Sequence, residues 1–153
     1  MIMGDGRSSR IYRDIVYEKK TAKSAGSFIW DNEIGGMFII TATAFKNTNA
    51  DSLLEDITRI VDSFGKEPVT DKELEKVKNS VENDYINNMQ TIMGKADALA
   101  SFWTFHKNTG LINTMVDEYL SITKEDILKA AKKYLTRDNR VVITYLPKNG
   151  KEN

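Results

Sequence analysis

The sequence predicts an α+β fold, with helices packed on one face of a mostly antiparallel sheet. Two observations carry this: β-branched runs flank a short turn near the start, and four stretches of 3.6-residue apolar spacing follow. A third is the order of elements. Helix, hairpin, several helices and a last strand make a layered fold rather than an alternating βαβ chain. Only three strands are expected, few for so many helices, so the sheet reads as truncated.

Ile11, Tyr12, Ile15 and Val16 share one helix face within residues 8–20, with Ser8 or Ser9 as the expected cap and Lys19-Lys20 at the negative end. Residues 23–45 read as a β-hairpin. Its second arm is MFIITATAF, and its loop Asp31-Asn32-Glu33-Ile34-Gly35-Gly36 is expected to hold five or six residues. Leu53, Leu54, Ile57, Ile60, Val61 and Phe64 then follow helical spacing and stop at Gly65, a suitable C′ residue.

Thr70-Asp71-Lys72-Glu73 is a capping box opening a long helix through Leu74, Val77, Val81, Tyr85, Met89 and Ile92. Near Gly94 this helix either kinks or gives way to a second one ending near Asn108-Thr109-Gly110. A shorter helix covers residues 111–120. Thr123 and Asp126 form another capping signal, before Ile127, Leu128, Ala131 and Tyr134. Arg137-Asp138-Asn139 is a turn. Residues 140–146, RVVITYL, are the expected final strand, closed by Pro147 and followed by a frayed tail, residues 148–153.

The 153 residues suit about one domain, with 41% hydrophobic and 29% charged side chains. Twenty-two basic residues balance twenty-two acidic ones, which gives no electrostatic reason to expect nucleic acid as a partner. No apolar run approaches the roughly 20 residues of a membrane-spanning helix. The start lacks the charged and apolar regions of a signal peptide. With no cysteine, disulfides and thiolate metal sites are excluded. The compartment stays open.

Gly4-Asp5-Gly6 raises the question of a phosphate cradle. A P-loop needs Gly-Lys-Ser/Thr after a strand, and a dinucleotide loop needs a third glycine where Ser9 stands. A glycine turn entering a helix is the better reading. His106 is the only histidine, so a paired-histidine zinc site cannot form and a serine triad would have to rest on it alone. Glu73 and Glu75 lie among Lys72, Lys76 and Lys78 as a solvated helix face. The expected catalytic, cofactor-binding and metal-ligating residues of this chain are therefore none.

Several stretches nevertheless resemble one family, the insulinase/pitrilysin-type zinc metallopeptidases. Gly4 to Tyr12, GDGRSSRIY, is similar to its G-x-G-x-SSRLY stretch. GGMFIITA from Gly35 resembles GGLF-x-I-x-A, and VTDKELEKVK from Val69 resembles VT-x-x-EL-x-x-AK. GKADAL from Gly94 is similar to GRA-x-x-L. ITKEDI from Ile122, followed by KKYL, resembles VT-x-x-DV … A-x-KYL. Together they cover residues 3–147 in order.

The resemblance implies a clamshell half. Two homologous halves enclose a chamber, and the amino-terminal half carries H-x-x-E-H and a distant Glu that hold zinc. The stretches here match the carboxy-terminal segment of a half, most closely the non-catalytic one. No H-x-x-E-H occurs in the chain, so no zinc ligand carries over and zinc is implied only for the catalytic half. An Arg/Tyr pair that helps hold substrate in active members falls on Val16 and Lys23. Residues 1–147 are thus expected to be a partial carboxy-terminal domain beginning inside a clamshell half.

The implied partners are an amino-terminal catalytic half, in the same parent chain or as a separate subunit, and a peptide substrate; self-association of an open-edged fragment is also expected. Three functions stay open at this point. The chain is the non-catalytic wall of a zinc peptidase, part of an inactive peptidase-like binding subunit, or an unrelated α+β binding module.

Overall fold

The computed structural model describes residues 1–46 and 48–146. A turn-rich entry leads into a short helix, Tyr12–Glu18, then strands β1 (Ala22–Asp31) and β2 (Gly36–Ala44). Five α-helices follow: α1 (Ala50–Phe64), α2 (Asp71–Met89), α3 (Ile92–His106), α4 (Met115–Ser121) and α5 (Lys124–Tyr134). Short 3₁₀ turns lie at Thr109–Asn113 and Arg137–Asn139. The α+β expectation holds, as helices around an antiparallel pair.

The first helix keeps its apolar spacing but not its expected bonding. Ile11 and Ile15 are fully buried, while the backbone runs as a π-helix, with Lys19 N–H donating to the Asp14 carbonyl at 2.8 Å. Neither Ser8 nor Ser9 caps it. The buried Ser9 hydroxyl donates to the Gly6 carbonyl at 2.7 Å and so is engaged away from the helix N–H groups.

β1 and β2 pair antiparallel from Ser24↔Thr43 to Asp31↔Gly36, with an irregularity between Ala22 and Ser24 that sets Lys23 out of register. The loop is four residues, 32–35, not five or six, because Asp31 and Gly36 close one more rung. A side chain at Gly36 would stand 2.7 Å from the Trp30 carbonyl, so the tight closure needs glycine there.

Register assigns the two faces. Ala22, Ala25, Ile40, Ala42 and Ala44 turn to the core, where Ile11, Ile15, Leu53, Ile60, Phe64, Val69 and Ala131 are buried. The small alanines suit the close approach of the first helix to β1. The other face alternates with them and carries Phe28, Trp30 and Met37, all exposed.

The break between α2 and α3 decides between one kinked helix and two. Two helices meet at Gln90 and Thr91, and the Thr91 hydroxyl caps α3 by accepting from Gly94 N–H at 2.9 Å. α3 ends on Lys107 in the left-handed conformation, φ 53. Both expected capping boxes form, Thr70 with Glu73 and Thr123 with Asp126. Gly65 ends α1 as expected, but in right-handed geometry, φ −82.

The expected third strand is not formed. Residues 140–146 belong to no sheet among the described residues, because β1 and β2 pair only with each other. The expected closure at Pro147 and the tail at 148–153 lie outside the described residues.

Ser27 supplies a test of packing. It is buried on β1, and its hydroxyl has no hydrogen-bond partner. An orphaned buried hydroxyl costs roughly 1–3 kcal/mol. Ser27→Ala is therefore expected to be neutral or stabilising by up to about 1 kcal/mol in urea unfolding. A clear loss of stability would show that the hydroxyl has an interaction this account lacks.

Candidate functional site

Three backbone N–H groups of the entry, those of Asp5, Ser9 and Ile11, are engaged within it. Asp5 N–H donates to Met1 carbonyl at 3.1 Å, Ser9 N–H to Gly6 carbonyl at 3.2 Å and Ile11 N–H to Met3 carbonyl at 2.9 Å. The glycines have structural reasons instead. Gly4 lies against β1, its carbonyl accepting from Ser27 N–H at 2.8 Å, and a Cβ there would stand 2.5 Å from that nitrogen. Gly6 adopts φ +77, which favours glycine.

Arg10 converts this entry into a clamp. Its guanidinium grips the Glu73 carboxylate with two bonds, 2.6 and 2.7 Å, and lies 4.5 Å from the centre of the Phe64 ring. Glu73 also closes the capping box, accepting from Thr70 N–H at 2.8 Å. The Arg10 bonds are the main reason the Glu73 carboxyl falls to about 2; burial opposes them and the Thr70 bonds assist. Arg10 is held above its ordinary value chiefly by the same Glu73 bond. The Glu73 carboxylate is thus committed to joining the entry segment to α2. Glu75 stays exposed on the solvated face.

A second charged surface links the first helix to α1. Arg59 donates to both Asp14 oxygens at 2.8 and 2.9 Å, and Lys19 pairs with Asp56. Next to it, a concavity of about 460 Å³ is lined by Arg59, Lys66, Arg137, Arg140, Glu55 and Asp62 among others. Arg137 is neutralised by Asp62 at 2.8 Å. The named charged side chains are four basic and two acidic, so the concavity has a basic excess.

His106 is exposed at the end of α3, its ring 6.4 Å from Phe102. Among the described residues no group of three or more His, Cys, Asp or Glu side chains is placed to hold a metal ion. Val16, one of the two positions implied for substrate holding, is half-buried and packed against the core. Lys23, the other, is exposed at the strand irregularity. On the outward hairpin face Phe28, Trp30 and Met37 are exposed.

Comparison with known proteins places these features. The family described as the Peptidase M16 inactive domain matches residues 1–81. The zinc protease PqqE of Helicobacter pylori is 23% identical over 145 residues, 95% of this chain and 32% of that protein. The chain thus spans about a third of the length of this curated relative. The fold matches the inactive peptidase domain of a candidate zinc protease from Bordetella parapertussis, with TM-score 0.85, 23% identity, and coverage of 98% of this chain and 81% of that one. A candidate zinc protease from Bordetella pertussis gives TM-score 0.84, 24% identity, and coverage of 96% and 80%. The entry clamp, the hairpin and the start of α2 all lie within the matched residues, and the chain belongs to the Peptidase M16 inactive-domain family.

Proposed function

We propose that this chain is the non-catalytic wall of a zinc-dependent peptidase chamber. A zinc-bearing half outside residues 1–153 does the hydrolysis. The observation that carries this reading is the hairpin's outward face, where Phe28 and the cross-strand neighbours Trp30 and Met37 are exposed. Phe28, Trp30 and Met37 offer flat, dry contact to side chains of an enclosed peptide, and their burial against it would exclude water. When zinc is bound in the other half, it supplies an activated water; the residues here only hold and enclose.

Membership in an inactive peptidase domain family supports the reading. Dialysed chain is expected to retain far less than one equivalent of zinc by metal analysis, and to cleave no peptide. One tightly held equivalent would contradict the proposal.

A second reading has its own observation. Val16 packs inward where a substrate-holding residue is implied, which suits a parent that binds peptides without cutting them. In that case hydrolysis appears only when a separate zinc-bearing subunit is added to the whole parent.

A further inference from the structure

Glu55, Thr58, Arg59 and Asp62 stand three and four residues apart on α1, so they share one stripe of that helix, and all four line the concavity of about 460 Å³. Lys66, just past the end of α1, and Arg137 and Arg140, from the 3₁₀ turn after α5, complete its charged lining. The volume falls within the roughly 300–1,000 Å³ of small-ligand sites.

Each of the three guanidiniums is anchored through one terminal nitrogen. Arg59 Nη2 donates to both Asp14 oxygens at 2.8 and 2.9 Å, Arg137 Nη2 to Asp62 at 2.8 Å, and Arg140 Nη1 to the buried Thr58 hydroxyl at 3.0 Å. A guanidinium carries five N–H donors, so each keeps others to offer. The Arg59 and Arg137 side chains are 54% and 68% exposed, which leaves those donors within reach of a ligand. Anchoring also lowers the side-chain entropy lost on binding.

Charge balance sets the sign of the ligand. Asp62 is taken up by Arg137, and Arg59 by Asp14, which lies outside the lining. Among the described residues no ion pair involves Arg140, Lys66 or Glu55. Two uncompensated cations therefore oppose one uncompensated carboxylate.

We propose that this concavity binds a phosphate-type oxyanion, as the free ion or as a phosphate monoester. A carboxylate is flat and engages one fork with its two oxygens. A tetrahedral phosphoryl group offers oxygens on several sides, which suits three forks and an ammonium, and its second charge outweighs Glu55. α1 packs on the core face of the hairpin, so the site lies away from the outward face of Phe28, Trp30 and Met37. The binding is separate from the peptide-enclosing role and does not depend on it.

The test is a titration of the full chain with inorganic phosphate at neutral pH and constant ionic strength. It is followed through the amide chemical shifts of residues 54–66 and 137–140. One saturable site is expected. Arg140→Gln, which loses charged donors, is expected to weaken binding by about tenfold. Lys66→Gln weakens it by about threefold, and Glu55→Gln strengthens it by about twofold to threefold, because each changes one charge at an exposed position. Both exposed variants keep the fold, so they carry the test even if Arg140→Gln does not. Acetate at the same concentrations is expected to leave these amides in place. Glycerol phosphate binding as tightly as phosphate assigns the site to monoesters; weaker binding assigns it to the free ion. Shifts that never saturate, an equal response to acetate, or unchanged affinity in both Lys66→Gln and Glu55→Gln would overturn the proposal.

Discussion

Gly94→Ala is expected to destabilise the chain by roughly 3 kcal/mol, near the top of the range for overpacking a tight site. Gly94 is buried where α3 leaves the α2 corner. A Cβ there would collide with the Asn88 carbonyl and stand 2.5 Å from the Asn88 side-chain oxygen and 2.8 Å from the Thr91 hydroxyl. The Asn88 carbonyl and the Thr91 hydroxyl cannot yield freely. The Asn88 carbonyl already accepts from Thr91 N–H at 3.2 Å and from the Thr91 hydroxyl at 3.1 Å, and that hydroxyl caps α3. Elsewhere in a helix, Gly→Ala would be favourable by about 1 kcal/mol, so the sign itself is diagnostic. A melting point lower by about 6–12 °C is expected for a chain of this size. An unchanged or higher value would mean that α2 and α3 do not meet at this corner.

Breaking the Arg10–Glu73 clamp is the second large effect. Glu73→Gln is expected to cost about 2–3 kcal/mol at neutral pH, because Arg10 is left partly buried over Phe64 without its carboxylate. Arg10→Met costs a similar amount, and the double variant less than the sum, since both remove one interaction.

Acid gives an independent handle on the same pair. The folded-state value of Glu73, about 2, lies below its ordinary 4.5. The stability it contributes is fully present above about 4.5 and is lost as pH falls from there towards 2. Urea unfolding between pH 6 and 2.5 should therefore show a steeper acid loss in the native chain than in Glu73→Gln. Parallel profiles would show that the clamp does not hold Glu73 ionised.

Much of the helical layer was legible from local chemistry. Thr70 with Glu73 and Thr123 with Asp126 are capping boxes whose partners are three residues apart, so the signal sits within one turn. The α1 stripe ends at Phe64 beside Gly65 as its spacing requires. The hairpin was legible too, although its last rung depended on how closely Gly36 could approach Trp30.

What escaped the sequence depends on distance or on bonding registers. Apolar spacing placed Ile11 and Ile15 inside, but cannot tell an i−4 from an i−5 hydrogen bond. Glu73 read as part of a solvated face; its partner Arg10 lies 63 residues away, and nothing local links them. Residues 140–146 have strand composition, but a strand needs neighbours, and none of the described residues supplies them. Gly4 and Gly94 stood out through the family resemblance, whereas the reason for each is a carbonyl or amide that only the fold brings close.

The most direct test joins this chain to the remaining part of its parent and measures peptide hydrolysis and zinc content before and after mixing. The account predicts no hydrolysis and no stoichiometric zinc for this chain alone, and chelator-sensitive hydrolysis once the two are combined, with all zinc in the other part. Zinc held by this chain, or full hydrolysis by the other part without it, would contradict its role as a chamber wall.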